Sequence, residues 1–195
     1  MCKESLQQPF ADRLACFSSC RGEDGGIATV RALVLSDTHL RDDLAKLPPE
    51  VWDGLAVADV VLHAGDVVTG DLLEALRERA RDGVDVHAVL GNNDRALVGA
   101  LPERVELDLA GVRVAMVHDS GARTGRGRRM RRWFPDADVV VFGHSHVPVD
   151  DEGVDGQRLF NPGSAVQRRR QPRRTMGWLT LTDGAVAGHE VVPIG

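Results

Sequence analysis

Five apolar segments of this chain each end in side chains that can bind a metal ion, and this recurrence limits the fold more than any other feature. The segments span residues 30–35, 59–63, 84–90, 112–117 and 138–142. Short apolar runs rich in β-branched residues are typical of buried strands. The carboxyl ends of neighbouring parallel strands meet at one edge of a sheet, so we expect one shared site there. The candidate ligands that follow the segments are Asp37, His39, Asp66, Asn92, His118, His144 and His146.

The last segment ends in Gly143-His-Ser-His146, which places two imidazoles at positions i and i+2. Gly143 is expected to permit a sharp turn out of the sheet. Residues i and i+2 of an extended segment lie about 6.6 Å apart, so His144 and His146 could each serve a different metal ion. One histidine pair is weak evidence, because a lone polar residue at a strand end is more often a cap or a solvated side chain. Five such groups in one small chain indicate a common site.

The order of elements predicts an α/β (α+β) fold with two sheets. Strands and helices alternate up to residue 90, and Leu72, Leu73 and Leu76 share one face of a predicted helix at 71–81. This alternation favours a parallel sheet. Two strands that meet at Gly111 then predict a hairpin. A helix at 124–133 and short strands near 158–160, 177–182 and 186–192 complete an antiparallel second half, so we predict two sheets packed face to face with helices outside.

A chain of 195 residues has room for one domain with a sizeable core. We expect residues 29–195 to form this domain and residues 1–28 to be a flexible N-terminal extension. No apolar run approaches the roughly 20 residues that a membrane span needs, so no membrane partner is expected. Cys2, Cys16 and Cys20 are the only cysteines, and an odd number without a repeated Cys-x-x-Cys pattern predicts reduced thiols and a cytoplasmic location.

The net charge of −5 argues against a general nucleic-acid binder, although arginines cluster at 123–132 and 168–174. The first cluster is interpreted as a solvated helix face, with a basic rim that binds substrate phosphate as the alternative. Aromatic residues are only 4% of the chain and tyrosine is absent, so bases would find little to stack on. A nucleic-acid partner is therefore the less favoured alternative to a small substrate.

The candidate ligands combine carboxylates, an amide and imidazoles without a thiolate, which suits Mn, Fe, Zn or Mg. Seven ligands are too many for one tetrahedral zinc ion and fit a pair of ions that share one carboxylate. Two ions about 3.5–4 Å apart can hold a bridging hydroxide and stabilise in-line displacement at phosphorus. Two divalent ions, two aspartates and one hydroxide sum to about one positive charge, which attracts phosphate.

These ordered motifs, together with Asn161-Pro-Gly-Ser164, resemble those of the calcineurin-like metallophosphoesterases, and most of all the small YfcE-like phosphodiesterase branch. The resemblance covers about residues 30–192. It implies a four-layer αββα sandwich, and it places the arginines at 168–174 near the site as phosphate-clamp candidates. It also implies two divalent ions, with Mn favoured and Ni, Zn, Fe or Mg as alternatives. One ion would take Asp37, His39, Asp66 and His146, and the other Asp66, Asn92, His118 and His144.

The chain also departs from the family pattern. Many relatives carry a histidine at the position of Asn93 that assists the leaving group, and Asp119 and Ser120 replace a glycine and a histidine that often follow the late ligand. An obvious general acid is therefore missing. Asp94 is expected to orient a ligand imidazole, with helix capping as the alternative. We expect Asp66, Asn92 and Asp94 to take part in catalysis.

Together the residues and the resemblance predict a metal-dependent phosphodiesterase that acts on a small phosphodiester through a bridging hydroxide. The alternative is a non-catalytic, metal-binding scaffold like the retromer subunit that belongs to the same branch. A scaffold should expose a large apolar patch.

Overall fold

The computed structural model describes residues 28–41 and 43–195, and its first sheet has the strand order β10–β9–β1–β2–β3. Strands β1, β2 and β3 are parallel, with Leu35 paired to His63 and His63 paired to Ala88. Strand β9 pairs with β1 in the antiparallel sense and carries β10 on its outer edge. The bounds are β1 Thr29–Leu35, β2 Val60–His63, β3 Asp85–Ala88, β9 Arg174–Thr182 and β10 Ala185–Ile194.

The second sheet has the order β4–β5–β6–β8–β7. Its strands are β4 Arg104–Leu109, β5 Val112–Val117, β6 Val139–Val141, β7 Val149–Glu152 and β8 Arg158–Asn161. The predicted hairpin of β4 and β5 is present, but β5, β6 and β8 pair in parallel. The expectation of an antiparallel second half is therefore wrong for the centre of this sheet. Helix α3, Arg126–Trp133, connects β5 to β6 and lets β6 run in the same direction as β5.

Three layers of apolar contact hold the two sheets and the helices together. Alternate residues of β1 face opposite sides, so Val34 packs between the sheets while Leu33 packs outward against the helices. Helices α1, Pro49–Leu55, and α2, Asp71–Arg79, cover the outer face of the first sheet. Helix α3 covers the outer face of the second sheet through Met130. The result is the predicted αββα order of layers.

Most of the predicted element boundaries agree with the structure to within a few residues. Helix α2 ends at Arg79 rather than 81, and β3 covers only Asp85–Ala88 of the predicted 84–90. Strand β7 was not predicted. The predicted extension at 1–28 lies outside the described residues except for Ala28. Every helix in the described part of the chain is too short or too polar to cross a membrane.

Candidate metal centre

The carboxyl ends of β1, β2, β3, β5 and β6 lie at one edge of the two sheets, and all seven candidate ligands meet there. The Nε2 atoms of His39 and His146 are 3.2 Å apart. Asn92 Oδ1 lies 3.1 Å from His118 Nε2 and 2.9 Å from His144 Nδ1. The site is therefore shared between the sheets, with Asp37, His39, Asp66 and Asn92 after strands of the first sheet and His118, His144 and His146 after strands of the second.

Two aspartates occupy the middle of this group. Asp37 Oδ1 lies 3.4 Å from His146 Nε2 and 3.9 Å from His39 Nε2. Asp66 Oδ2 lies 3.5 Å from His39 Nε2 and 3.4 Å from His118 Nε2. One oxygen of Asp66 thus lies close to one imidazole from each sheet.

The backbone at the ligands is strained. Positive φ angles are uncommon for residues other than glycine, because the Cβ atom crowds the backbone. Such strain persists only where the surrounding structure enforces it, and it clusters at functional sites. Five of the seven candidate ligands nevertheless have positive φ: Asp37, His39, Asp66, His144 and His146, at 51°, 48°, 59°, 68° and 56°.

Gly143 is required for space rather than for a turn. It does not adopt a positive φ, and His144 takes the left-handed conformation instead. A Cβ atom at Gly143 would lie 1.9 Å from Ser36 Oγ and 2.7 Å from Asp37 Oδ2. The chain bends at His144 and Ser145, directly after Gly143, so the expected turn out of the sheet is present. The glycine itself is needed because it lets β6 approach the first ligand loop.

Backbone carbonyls orient two of the imidazoles. His118 Nδ1 lies 2.7 Å from the carbonyl oxygen of Ala64, and His146 Nδ1 lies 2.6 Å from that of Gln167. A ring nitrogen that donates to a carbonyl leaves the lone pair of Nε2 directed at the site. Asp37 Oδ1 is buried and has no hydrogen-bond partner among the described residues. A buried, unpartnered carboxylate oxygen between imidazole lone pairs fits a bound divalent cation.

The segment Asn161-Pro-Gly-Ser164 makes hydrogen bonds to the backbone of two ligand loops. The Ser164 hydroxyl donates a 2.7 Å hydrogen bond to the backbone carbonyl of Asp37. Asn161 Nδ2 donates a 2.9 Å bond to the carbonyl of Gly143. Both side chains are buried. The segment therefore holds the two ligand loops together and does not supply a ligand itself.

The charges of the site affect the pKa values of its members. Burial alone would raise the pKa of Asp66, but contacts with His118 and Asn93 outweigh it and keep the pKa below its ordinary value. Burial lowers the pKa of His39, while Asp66 and the Ala64 carbonyl raise the pKa of His118 despite its burial. The carboxylate of Asp66 is therefore ionised at neutral pH and available to a cation.

His63 lies at the end of β2 and is completely buried. Its Nε2 atom lies 3.1 Å from the hydroxyl of Thr38, and Nδ1 has no partner among the described residues. Burial, together with the nearby His118, lowers its pKa to about 3. His63 is therefore a neutral residue with a structural role.

Asp94 does not orient an imidazole. Its Oδ2 atom accepts hydrogen bonds from the backbone N–H groups of Asp66 and Gly91, at 2.9 and 2.7 Å, and Oδ1 accepts one from Val68 at 2.6 Å. Its side chain makes no helix-capping bond either, although the residue precedes a short 3-10 helix. Both expectations for Asp94 are wrong. The buried carboxylate ties the Asp66 loop to the Asn92 loop through backbone groups.

Asn93, at the position where relatives often have histidine, contacts the central aspartate. Its backbone N–H donates to Asp66 Oδ1 at 2.8 Å, and its side-chain amide donates to Asp66 Oδ2 at 2.7 Å. Asp119 accepts a bond from the backbone N–H of Gly121 and touches no imidazole through hydrogen bonds among the described residues. Neither residue provides an obvious acid for a leaving group.

Three of the six arginines in the first cluster have a structural role, and the other three are exposed. Arg129 donates to the carbonyls of Ser120 and Ala122, and Arg131 donates to that of Val154. Arg126 lies over the ring of Phe142, with its ζ carbon 4.9 Å from the ring centre. Neither the solvated helix face nor the basic rim describes these three arginines.

Arginines from other loops lie closer to the ligands. From the second cluster, Arg169 is near enough to His39 to oppose protonation of that imidazole. Arg41 and Arg95 line a pocket together with His39 and Asn93. The sequence interpretation missed Arg41 and Arg95, because each is a single arginine within a loop. Their only local signal is their position directly after ligand motifs.

Comparison with known proteins identifies the family of the chain. The family model of the calcineurin-like phosphoesterase superfamily domain matches residues 30–184. A probable metallophosphoesterase of Methanocaldococcus jannaschii, MJ0623, is 32% identical over 165 residues, which are 83% of this chain and 80% of the relative.

Solved structures show the same fold. Thermotoga maritima protein TM1076 is 30% identical with a TM-score of 0.65, and the match covers 85% of this chain and 99% of that one. The zinc complex of Vps29 from Entamoeba histolytica is 25% identical with a TM-score of 0.63, and covers 84% of this chain and 98% of that one.

Proposed function

Because the chain belongs to the calcineurin-like phosphoesterase superfamily, we propose that it is a metal-dependent phosphodiesterase with a dinuclear centre. The observation that carries this proposal is the position of Asp66 Oδ2, 3.5 Å from His39 Nε2 and 3.4 Å from His118 Nε2. A single carboxylate oxygen between two imidazoles suits a ligand shared by two ions.

The residues of the centre divide into two sets about Asp66. One ion would be held by Asp37, His39, Asp66 and His146, and the other by Asp66, Asn92, His118 and His144. The mixture of oxygen and imidazole ligands suits Mn, with Ni, Zn, Fe or Mg as alternatives. When bound, the two ions would supply a bridging hydroxide as the nucleophile and neutralise charge on the phosphoryl group.

Contacts with side chains and backbone preorganise the candidate ligands. The low pKa of Asp66 keeps its carboxylate ionised, and Asn93 fixes its orientation through two hydrogen bonds. The Nδ1 contacts of His118 and His146 to carbonyl oxygens fix the directions of their rings. Preorganised ligands avoid the cost of rearrangement during the reaction. Arg169, whose positive charge opposes protonation of His39 and lowers its pKa, is our candidate for contact with the scissile phosphate.

Charge and the missing acid both favour a diester with a good leaving group. With its ions and hydroxide the site would carry about one net positive charge, which matches the single charge of a diester better than the two charges of a monoester. An asparagine side chain is not a Brønsted acid in this pH range, so Asn93 cannot protonate a leaving group. We propose that water supplies this proton or that the leaving group needs none.

The scaffold alternative requires a large apolar surface for a partner. Among the described residues, the exposed large hydrophobic side chains are Val57, Val98 and Val147, at 49%, 71% and 42% exposure. Three valines from separate loops are a small apolar surface for a docking site. The Vps29 fold keeps the scaffold as the second candidate, and the low apolar exposure favours the enzyme. We also propose a cytoplasmic location from the cysteine pattern alone.

The test is hydrolysis of bis(4-nitrophenyl) phosphate by the full chain with Mn, Ni, Zn or Mg. Asp66→Asn should reduce turnover at least about 100-fold, since it removes the shared carboxylate. Asp108→Asn is the matched control. Asp108 lies on an exposed hairpin, and among the described residues its side chain accepts a hydrogen bond only from the backbone N–H of Gly111. 4-Nitrophenyl phosphate, a monoester, should be the poorer substrate. Turnover by the wild type that does not exceed that of Asp66→Asn with any metal would contradict the enzyme proposal.

A further inference from the structure

A pocket of about 320 Å³ opens directly beside the metal centre. It shares His39 and Asn93 with the centre, so a group bound in the pocket would lie next to a phosphate bound at the centre. The lining is polar and contains two arginines. Its members are His39, Arg41, Val68, Asn93, Arg95 and Gln167.

The first arginine is held in place by its backbone. Leu40 forms a parallel β-bridge with Val68, and the Thr69 hydroxyl donates a 2.8 Å hydrogen bond to the carbonyl of Arg41. These contacts connect the loop after β1 to the loop after β2. The backbone that carries the Arg41 guanidinium is therefore fixed at the wall of the pocket.

The second arginine, Arg95, lies on the opposite wall of the pocket and directly follows the buried Asp94. Arg95 begins the 3-10 helix Arg95–Leu97 directly after Asp94. Asp94 also accepts the backbone N–H of Val68, which has a φ of 83°. A positive φ is an outlier for a β-branched residue, and it persists only when its surroundings enforce it. Val68 thus joins the two walls, and the pocket is a built feature of the fold.

The chemistry of the lining selects an anion. Neither Arg41 nor Arg95 forms an ion pair with another of the described residues, and the lining contains no acidic side chain. It also contains no Phe, Tyr or Trp ring on which a base could stack. Guanidinium groups bind phosphate through paired hydrogen bonds. The volume lies at the lower end of the range for small-ligand sites, enough for a phosphate and part of the group that carries it.

We propose that this pocket binds a second phosphate group, carried on one ester arm of the diester that the metal centre cleaves. The inference rests on the proposed phosphodiesterase function and narrows its substrate class. The substrates would be small diesters with a phosphorylated ester arm. Arg41 and Arg95 would hold the second phosphate and so position the scissile one.

Binding to the manganese-loaded full chain tests the inference without turnover. Isothermal titration would compare thymidine 3′,5′-bisphosphate with the 3′- and 5′-monophosphates. The bisphosphate should bind at least about tenfold more tightly than either monophosphate, as expected for one charge-assisted contact. In Arg41→Gln/Arg95→Gln this advantage should fall to about twofold or less. The control is Arg128→Gln/Arg132→Gln, which removes two exposed arginines of α3 outside the pocket and should keep the advantage.

The outcomes separate this inference from the proposed function. Equal affinities for the three nucleotides in the wild type would overturn it, and so would an advantage that survives in Arg41→Gln/Arg95→Gln. Loss of the advantage in the control double variant would also overturn it, because the preference would then reflect general charge. A lack of bis(4-nitrophenyl) phosphate hydrolysis with any metal would instead contradict the proposed phosphodiesterase function. The nucleotide affinities would still decide whether the pocket binds a second phosphate group.

Discussion

The carboxylate of Asp94 accepts a 2.9 Å hydrogen bond from the backbone N–H of Asp66. The same carboxylate also binds the N–H groups of Gly91 and Val68, so one buried side chain fixes the loops after β2 and β3. It reaches the metal centre without contributing a ligand.

Replacing Asp94 with asparagine should weaken the centre. The side-chain amide of Asn has only one acceptor oxygen, so at least one of the three N–H groups, two of them buried, would lose its partner at a cost of about 1–3 kcal/mol. Displacement of Asp66 should lower metal affinity about 10–100-fold. Calorimetric titration with Mn²⁺ and thermal unfolding check both effects. Asp108→Asn is the control, and unchanged Mn²⁺ affinity in Asp94→Asn would contradict the anchoring role.

Gly143→Ala should disturb the first ligand loop. The added methyl would overlap Ser36 Oγ and press on Asp37 Oδ2, so we expect a loss of about 1–3 kcal/mol in stability and weaker metal binding. Gly127→Ala is the matched control, because the added methyl on α3 would approach Gly153 and Val154 no closer than 3.5 Å. It should be neutral or stabilising by up to about 1 kcal/mol. Equal effects of the two variants in denaturant titrations would refute the close-approach argument.

Metal analysis should find two ions per chain in the wild type. Because the proposed centre assigns His39 and His144 to different ions, His39→Gln and His144→Gln should each retain about one ion after dialysis. His189→Gln should retain two, since His189 pairs with Asp150 away from the centre. Elemental analysis of the dialysed proteins measures these ratios. A reproducible single ion in the wild type would contradict the dinuclear centre.

Stability should fall in mild acid because of His63. Its folded-state pKa of about 3 lies below the ordinary value of 6.5, so between these values the unfolded chain binds a proton that the folded chain does not. The contribution is fully present above pH 6.5 and is lost as the pH falls, by about 1.4 kcal/mol per unit.

His63→Gln isolates this contribution, since glutamine can still bond Thr38 but does not titrate. Denaturant titrations at pH 7, 6 and 5 should show a steeper decline of the free energy of unfolding for the wild type than for the variant. Parallel declines would mean that His63 is not the titrating group.

The strand ends and the convergence of the ligands could be predicted, because both follow from local pattern. An apolar run such as 138–142 specifies a buried strand, and Asp or His directly after it must lie near the strand's carboxyl end. The parallel pairing of β5 with β6 could not be deduced in the same way. It depends on α3 crossing one face of the sheet, a tertiary contact that the alternation within each strand does not encode.

Three other features escaped prediction for physical reasons. Strand β7, Val149–Glu152, has the sequence VDDE, and its polarity hides a strand that β8 stabilises by pairing at the sheet edge. The role of Asp94 depends on backbone N–H groups, and because every residue other than proline has one, the sequence does not reveal which of them Asp94 contacts. The pocket of Arg41 and Arg95 requires two loops to approach each other, and neither loop alone differs from an ordinary solvated turn.

His39 and His146 lie 107 positions apart in the chain and on different sheets, yet their rings stack with centroids 5.1 Å apart. A cation held between them would act as a tether across the interface of the sheets. Separation of the sheets would then require release of the cation, so resistance to unfolding should rise with free metal concentration. The two histidines would then hold the two sheets together through the bound cation, in addition to their role in the centre.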